Sequence, residues 1–190
     1  MNKKQRVEHL KSAVFSEDWD EAKDACRRLF HFGGRFNKTG RRKCRRFLVE
    51  LLDQENPWTR NVVAITFRIN RFNAAVDPLF HAITKPENSR YNGTLVYALE
   101  KLNCGHHLGE LFSILFGAAG NWEVQASALC ILEEQIFEFI RDELRTIAEG
   151  WNAIQNDWNR LNNIDEGKIR ETDFDRMLIQ SFVDGYLAYL

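Results

Sequence analysis

Apolar residues recur three and four positions apart along nearly the whole chain, and no stretch alternates strictly. The pattern therefore predicts helices joined by short breaks. A first helix is predicted over about Lys4–Phe15, with Val7, Leu10 and Val14 on one face. Ser16 reads as the N-cap of a second, because Glu17, Asp18, Asp20 and Glu21 favour the positive end of a helix dipole. That helix runs to about Phe32, where Gly33-Gly34 supplies the left-handed residues on which helices end. A third, about Lys38–Gln54, carries Phe47, Leu48, Leu51 and Leu52. The longest stripe is Phe137, Ile140, Leu144, Ile147, Trp151, Ile154, Trp158 and Leu161, spaced alternately by three and four. It predicts one helix over about Gln135–Asn162, with Gly150 as a possible kink. The stripe either packs inside the fold or forms a seam for a partner, and its two tryptophans suit the latter. A last helix, about Thr172–Leu190, places Met177, Leu178, Phe182, Tyr186, Leu187 and Tyr189 as its apolar set.

From Asn56 a repeat emerges. Asn56-Pro57-Trp58, Asn88-Ser89-Arg90 and Asn121-Trp122-Glu123 each open a predicted helix, at offsets of 32 and 33 residues. The first helices are predicted over Trp58–Phe72, Arg90–Leu102 and Trp122–Gln135. Two of them share a motif, Ala98-Leu99-x-x-Leu102 and Ala128-Leu129-x-x-Leu132. In the helices that follow, Val76-x-x-Leu79-Phe80-x-x-Ile83 matches Leu108-x-x-Leu111-Phe112-x-x-Leu115. A fixed offset of this size, with one helical hairpin per unit, is the mark of an α-solenoid. On these positions the stretch Asn56–Ala148 resembles the HEAT-repeat family, although Arg68 stands where the later units have Ala98 and Ala128. The resemblance implies an all-α stack of antiparallel helical hairpins. It also implies a concave face near Asp77, His81, His107, Glu110, Glu138 and Arg141 that meets a protein or nucleic acid. The expected organisation is a single all-α domain: basic N-terminal helices over 1–55, HEAT-like repeats over 56–148, and capping helices at both ends, the C-terminal ones over 149–190.

Charge sharpens the picture. The chain has 190 residues and a net charge of -1, but residues 1–50 carry a net +7, residues 51–110 a net 0 and residues 111–190 a net -8. Such asymmetry points to an electrostatically steered partner, or to the two ends neutralising each other. Residues 25–49 hold nine Lys/Arg and no acid, with Phe30, Phe32, Phe36 and Phe47 interleaved. Arg41, Arg42, Lys43, Arg45 and Arg46 are the candidate nucleic-acid contacts, by phosphate neutralisation and base stacking. The same cluster could meet an acidic protein, or simply be solvated. In the acidic half, Glu133, Glu134, Glu138, Asp142 and Glu143, with Trp151 and Trp158, are the candidate contacts to a basic protein.

Catalytic signatures do not emerge: no glycine-rich phosphate loop, nucleophile elbow or His-Glu-x-x-His is found. Cys104, His106 and His107 are metal-type ligands, but no paired motif completes a site. No cofactor or metal is therefore expected. Cys26, Cys44, Cys104 and Cys130 form no Cys-x-x-Cys pair, and no apolar stretch follows the basic Met1–Arg6, so reduced thiols in a cytoplasm are expected. No apolar run nears 18 residues, so no membrane partner is expected. In overall character the chain is similar to bacterial immunity proteins, which neutralise a cognate toxin, often a nuclease. The leading expectation is thus a non-enzymatic inhibitor that occludes a basic partner. A second is a nucleic-acid binder: Trp58, Arg60, Ala64 and Ile65 are similar to a Trp-x-Arg-x-x-Ala-Ile stretch of HEAT-like DNA alkyl-base glycosylases. A third is a scaffold subunit of a larger assembly.

Overall fold

The computed structural model describes residues 2–34, 37–118, 121–162 and 171–190, with side chains described outside 157–175. Arg35, Phe36 and the side chains of Trp158, Leu161, Thr172, Asp173 and Asp175 thus lie outside the described residues. Among the described residues the chain is all-α, with no strand, and its helices pack on one another. They fall into two compact units, Met1–Asn103 and Cys104–Leu190, whose boundary lies inside the predicted repeat stretch.

Unit 1 begins with α1 (Lys3–Ala13), α2 (Trp19–Phe30) and α3 (Lys38–Glu50), followed by a 3-10 turn at Leu51–Asp53. The cap of α2 is Asp18, not Ser16: the Asp18 carboxylate accepts from the backbone N–H groups of Asp20 and Glu21. Ser16 instead donates to Glu21 at 2.5 Å, and its oxygen accepts from Asp18. A carboxylate outcompetes a hydroxyl here because it adds charge to the hydrogen bond. Gly33 and Gly34 adopt φ of 84° and 53°, as the left-handed turn after α2 requires. Next come α4 (Pro57–Ile69), α5 (Val76–Thr84) and α6 (Gly93–Leu99). α2, α4 and α6 pack in succession, and α5 packs beside α6. The row buries Leu29, Val63, Phe67, Leu79, Leu95 and Leu99.

Asn56 caps α4, as predicted, but Asn88 does not open α6. It sits in a 3-10 turn, 3% exposed, and donates from Nδ2 to the Ala82 carbonyl at 2.7 Å, closing the end of α5. The helix starts five residues later at Gly93. Arg68 explains its own departure from the small-residue position. It reaches from α4 to α6, donates to the Tyr97 carbonyl at 2.5 Å, pairs with Glu100 at 3.0 Å, and lies over the Tyr97 ring at 3.6 Å.

Unit 2 holds α7 (Leu108–Gly117), α8 (Trp122–Glu134), α9 (Arg141–Asn162) and α10 (Glu171–Leu187). α7 packs against both α8 and α9, and α9 packs on α10. Asn121 caps α8 as predicted. The predicted helix start at Gln135 is overturned: residues 136–140 are non-helical, and α9 starts at Arg141. Ile136, Glu138 and Ile140 are exposed, whereas Phe137 is buried and Phe139 half-buried, a period of two. Phe137 and Phe139 pack edge-on to Tyr186, at 6.3 and 5.8 Å between ring centroids. The stripe proper, Leu144, Ile147 and Trp151, is core. Gly150 lets α9 come close to α7, since a Cβ there would meet the Phe116 ring at 3.3 Å. Among the described residues of α10, Ile179 and Val183 are buried, whereas the predicted Met177, Leu178 and Tyr189 are exposed.

Candidate functional site

Two surfaces remain once the structural side chains are set apart. The first lies along α3. Its cations start in the first turn, where Asn37 accepts from the Gly40 N–H and no acidic residue offsets the helix dipole. The pair Arg41 and Arg42 is followed one turn later by Arg45 and Arg46, and together with Lys38 they line a groove of about 590 Å3 whose apolar wall includes Phe72. Lys43 is exposed but does not line it. The five cations are not equivalent. Arg45 donates to the Phe30 carbonyl at 3.1 Å and stacks 3.9 Å from the Phe30 centroid and 5.2 Å from that of Phe72. Burial, and secondly the charge of Arg41, pushes its pKa down. Arg46 pairs with Glu50 at 3.4 Å, both ends largely in water. Among the described residues no carboxylate lies within ion-pairing distance of Lys38, Arg41, Arg42 or Lys43.

A second basic groove, of about 630 Å3, is lined by Lys3, Arg6, Arg27, Arg28 and Asn37, the residue before Lys38. Here two cations are spent: Asp24 takes Arg27 at 2.5 Å and Arg28 at 3.4 Å. The Arg27 hydrogen bond foremost holds the Asp24 carboxyl below its usual range.

The second surface is on unit 2. Glu133, Glu134, Glu138 and Asp142 are exposed. Glu138 lies 3.6 Å from His106, and Asp142 pairs with Arg145 at 3.0 Å. Interleaved with them are Ile136 and Ile140, at 92% and 68% exposure. Glu133 also edges a cleft of about 440 Å3 lined by Leu132, Phe182, Tyr186 and Tyr189. Two of the predicted contacts are not part of this surface. The Glu143 carboxylate accepts from the Gly109 N–H at 2.8 Å and so closes the first turn of α7. Trp151 is 3% exposed, stacks on Phe116 at 5.7 Å, and donates its indole N–H to Gln180 at 2.7 Å. The sequence pattern sets Ile140 in the long stripe, as core or partner seam, and leaves Ile136 unassigned; the alternation of the two around Glu138 is the signal that marks them.

The remaining candidates take structural places. Arg60 is 1% exposed and donates to the Gln54 and Glu55 carbonyls at 2.6 and 2.9 Å; Trp58 packs edge-on against Trp19. His107 Nδ1 lies 3.2 Å from Glu110, and the Cys104 backbone N–H donates to Gln135. Burial pushes the Cys26 and Cys104 thiols up to about 12. Among the described residues, no three His, Cys, Asp or Glu side chains converge as a metal site would need, and no helix is long and apolar enough to cross a membrane. No family model matches the chain, and no curated protein matches it.

Proposed function

We propose that the chain is a non-catalytic binding module of HEAT-like build whose acidic surface on unit 2 holds a basic protein partner. One observation carries this: Ile136 and Ile140 stand exposed on either side of Glu138, next to Glu133 and Asp142. Large aliphatic side chains held in water cost free energy that a monomer gains nothing from. An apolar centre with a charged rim is the anatomy of a recognition surface. The rim sets the sign of the partner and speeds encounter, while the isoleucines supply the area to be desolvated. A partner presenting aliphatic or aromatic anchors flanked by Lys and Arg fits. A phosphate-seeking enzyme has that character, so the reading extends to an inhibitor of the immunity kind that occludes a basic toxin nuclease.

The test is capture from the native host with the wild-type chain, with Ile136→Asp/Ile140→Asp, and with Arg41→Glu/Arg42→Glu, each with and without nuclease. The proposal expects a basic protein held at equal stoichiometry and unaffected by nuclease. It should be lost with the isoleucine variant and kept with the arginine variant. A partner that ignores the isoleucine variant, or vanishes with nuclease, refutes it.

A further inference from the structure

We infer that the groove along α3 in unit 1 is a binding site for single-stranded nucleic acid, in which Lys38, Arg41, Arg42 and Arg46 hold the phosphodiester backbone and Phe72 receives a base. The site lies wholly within unit 1 and uses none of the residues of the acidic surface.

Three observations converge on this ligand. The first is the placement of charge. Helices favour acids in the first turn, as α2 does with Asp20 and Glu21, whereas α3 opens with Lys38 and continues with Arg41 and Arg42. These cations repel the positive helix end and one another. Among the described residues, none of the three has a carboxylate within ion-pairing distance. An anion in the groove would relieve that repulsion. The second is spacing. Arg41 and Arg42 stand one turn from Arg45 and Arg46, about 6 Å along the axis at 1.5 Å per residue. A strand of linked phosphates presents charges at a comparable interval. A lone phosphate would use only one step of this ladder. Arg46 joins at little cost, because its pair with Glu50 is exposed and 3.4 Å long.

The third observation selects nucleic acid over other polyanions. Phe72 lines the groove beside the cations and is half-buried. Its ring is fixed edge-on to Phe30 at 5.2 Å, tilted on Phe67 at 5.4 Å, and covered in part by the Arg45 guanidinium. A ring that rigid loses little freedom when a base stacks on it, and base stacking on aromatics is tolerant of sequence. Bases in a duplex are already stacked, so only an unpaired strand can use Phe72. Arg45 is thereby a positioning residue: its hydrogen bond to the Phe30 carbonyl and its stacking hold the aromatic wall.

The experiment is fluorescence anisotropy of a labelled oligothymidine with the full chain, against a duplex of equal length, poly-glutamate and heparin as competitors. Binding to the single strand should fall with salt. The log–log slope should be about -2 to -3, for three to four phosphate contacts at about -0.7 each. Arg41→Glu/Arg42→Glu, both outside the core, should weaken binding at least tenfold and reduce the slope by about 1.4. Phe72→Leu, which keeps apolar volume, should weaken binding roughly tenfold with the slope unchanged. Ile136→Asp/Ile140→Asp should leave it untouched. Helical content by circular dichroism is recorded for every variant. If Phe72→Leu alters the fold, the arginine pair and the strand preference still decide the matter. Preference for duplex, equal displacement by poly-glutamate, or full binding by the arginine variant would each overturn the inference.

Discussion

Arg68 is the residue by which the stack can be tested most sharply. Removing it as Arg68→Leu deletes three contacts at once. The Tyr97 carbonyl, among the last four of α6, loses a charged donor at 2.5 Å. Such a bond contributes about 1.5 kcal/mol or more. Glu100 loses its counter-charge at 3.0 Å, with the two side chains only 14% and 13% exposed. Breaking a fully buried pair costs about 3–5 kcal/mol, and the residual exposure brings this share down to about 1 kcal/mol. The guanidinium also leaves the Tyr97 face, for about 0.5–1 kcal/mol. Leucine recovers some apolar burial, so a net loss of about 2–3 kcal/mol is expected, read as a shift in the urea midpoint by circular dichroism at unchanged slope. Glu100→Gln should cost about 1 kcal/mol, and the double variant less than the sum, with a coupling of about 1 kcal/mol. An Arg68→Leu loss under about 0.5 kcal/mol, or a cycle additive within about 0.3 kcal/mol, would show that Arg68 does not tie α4 to α6.

The acidic candidates should separate into two classes. Glu143→Ala should destabilise unit 2 by about 1 kcal/mol, through the Gly109 N–H it leaves bare, yet keep partner capture; Glu133→Lys/Glu138→Lys should do the reverse, as denaturation and pull-down together would reveal. Cys26 and Cys104 should resist iodoacetamide in the native chain while the half-buried Cys130 reacts first, read by mass spectrometry. Their folded pKa values are raised to about 12. The unfolded thiols ionise from about 8.5. Stability should therefore be full below about pH 8.5 and fall above it by up to about 1.4 kcal/mol per pH unit for each thiol. A flat pH profile in urea melts between pH 9 and 11 would contradict this. Gly150→Leu should destabilise unit 2 by driving side-chain atoms into the Phe116 ring, whereas Gly150→Ala should lie within about 1 kcal/mol of wild type, since better helix propensity offsets the 3.3 Å contact; equal melts for the two variants would rule out the close approach.

How far the sequence spoke depended on whether a signal was local. The caps at Asn56 and Asn121 are local: side chain and backbone lie within three residues, and both were legible. Asn88 carries the same residue type at the same period, but its amide turns back to close α5, and residue type does not encode that direction. The stripe over 137–161 failed at its start because Phe137 and Ile140 satisfy a three-residue step while Phe137 and Phe139 satisfy a two-residue one. The Glu138 N–H bond to the Gly105 carbonyl and the Tyr186 ring favour the extended form. The cations of α3 were legible as a run of charge; Phe72 was not, because only tertiary packing brings it to Arg45.

A count of charges overstates what is open to a partner, because the fold itself uses several of them. Arg45, Arg60 and Arg68 all aim their guanidinium groups at backbone carbonyls, and so serve the fold rather than a partner. Among the acids, Asp18 and Glu143 close helix starts, and Asp24 holds two arginines. The charges left to the two proposed sites include Lys38, Arg41, Arg42 and Arg46 on one unit, and Glu133 and Glu138 beside the two exposed isoleucines on the other. A charge that the fold uses should show its loss in stability, and a charge that the fold leaves in water should show its loss only in binding. The Trp58–Arg60 motif falls in the first class. Arg60→Lys keeps the charge but not the reach and plane of the single Nη1 group that donates to both carbonyls, so it should destabilise unit 1 while leaving oligonucleotide affinity per folded molecule unchanged. Should Arg60→Lys instead spare the fold and abolish binding, the groove along α3 would not be where a nucleic acid binds.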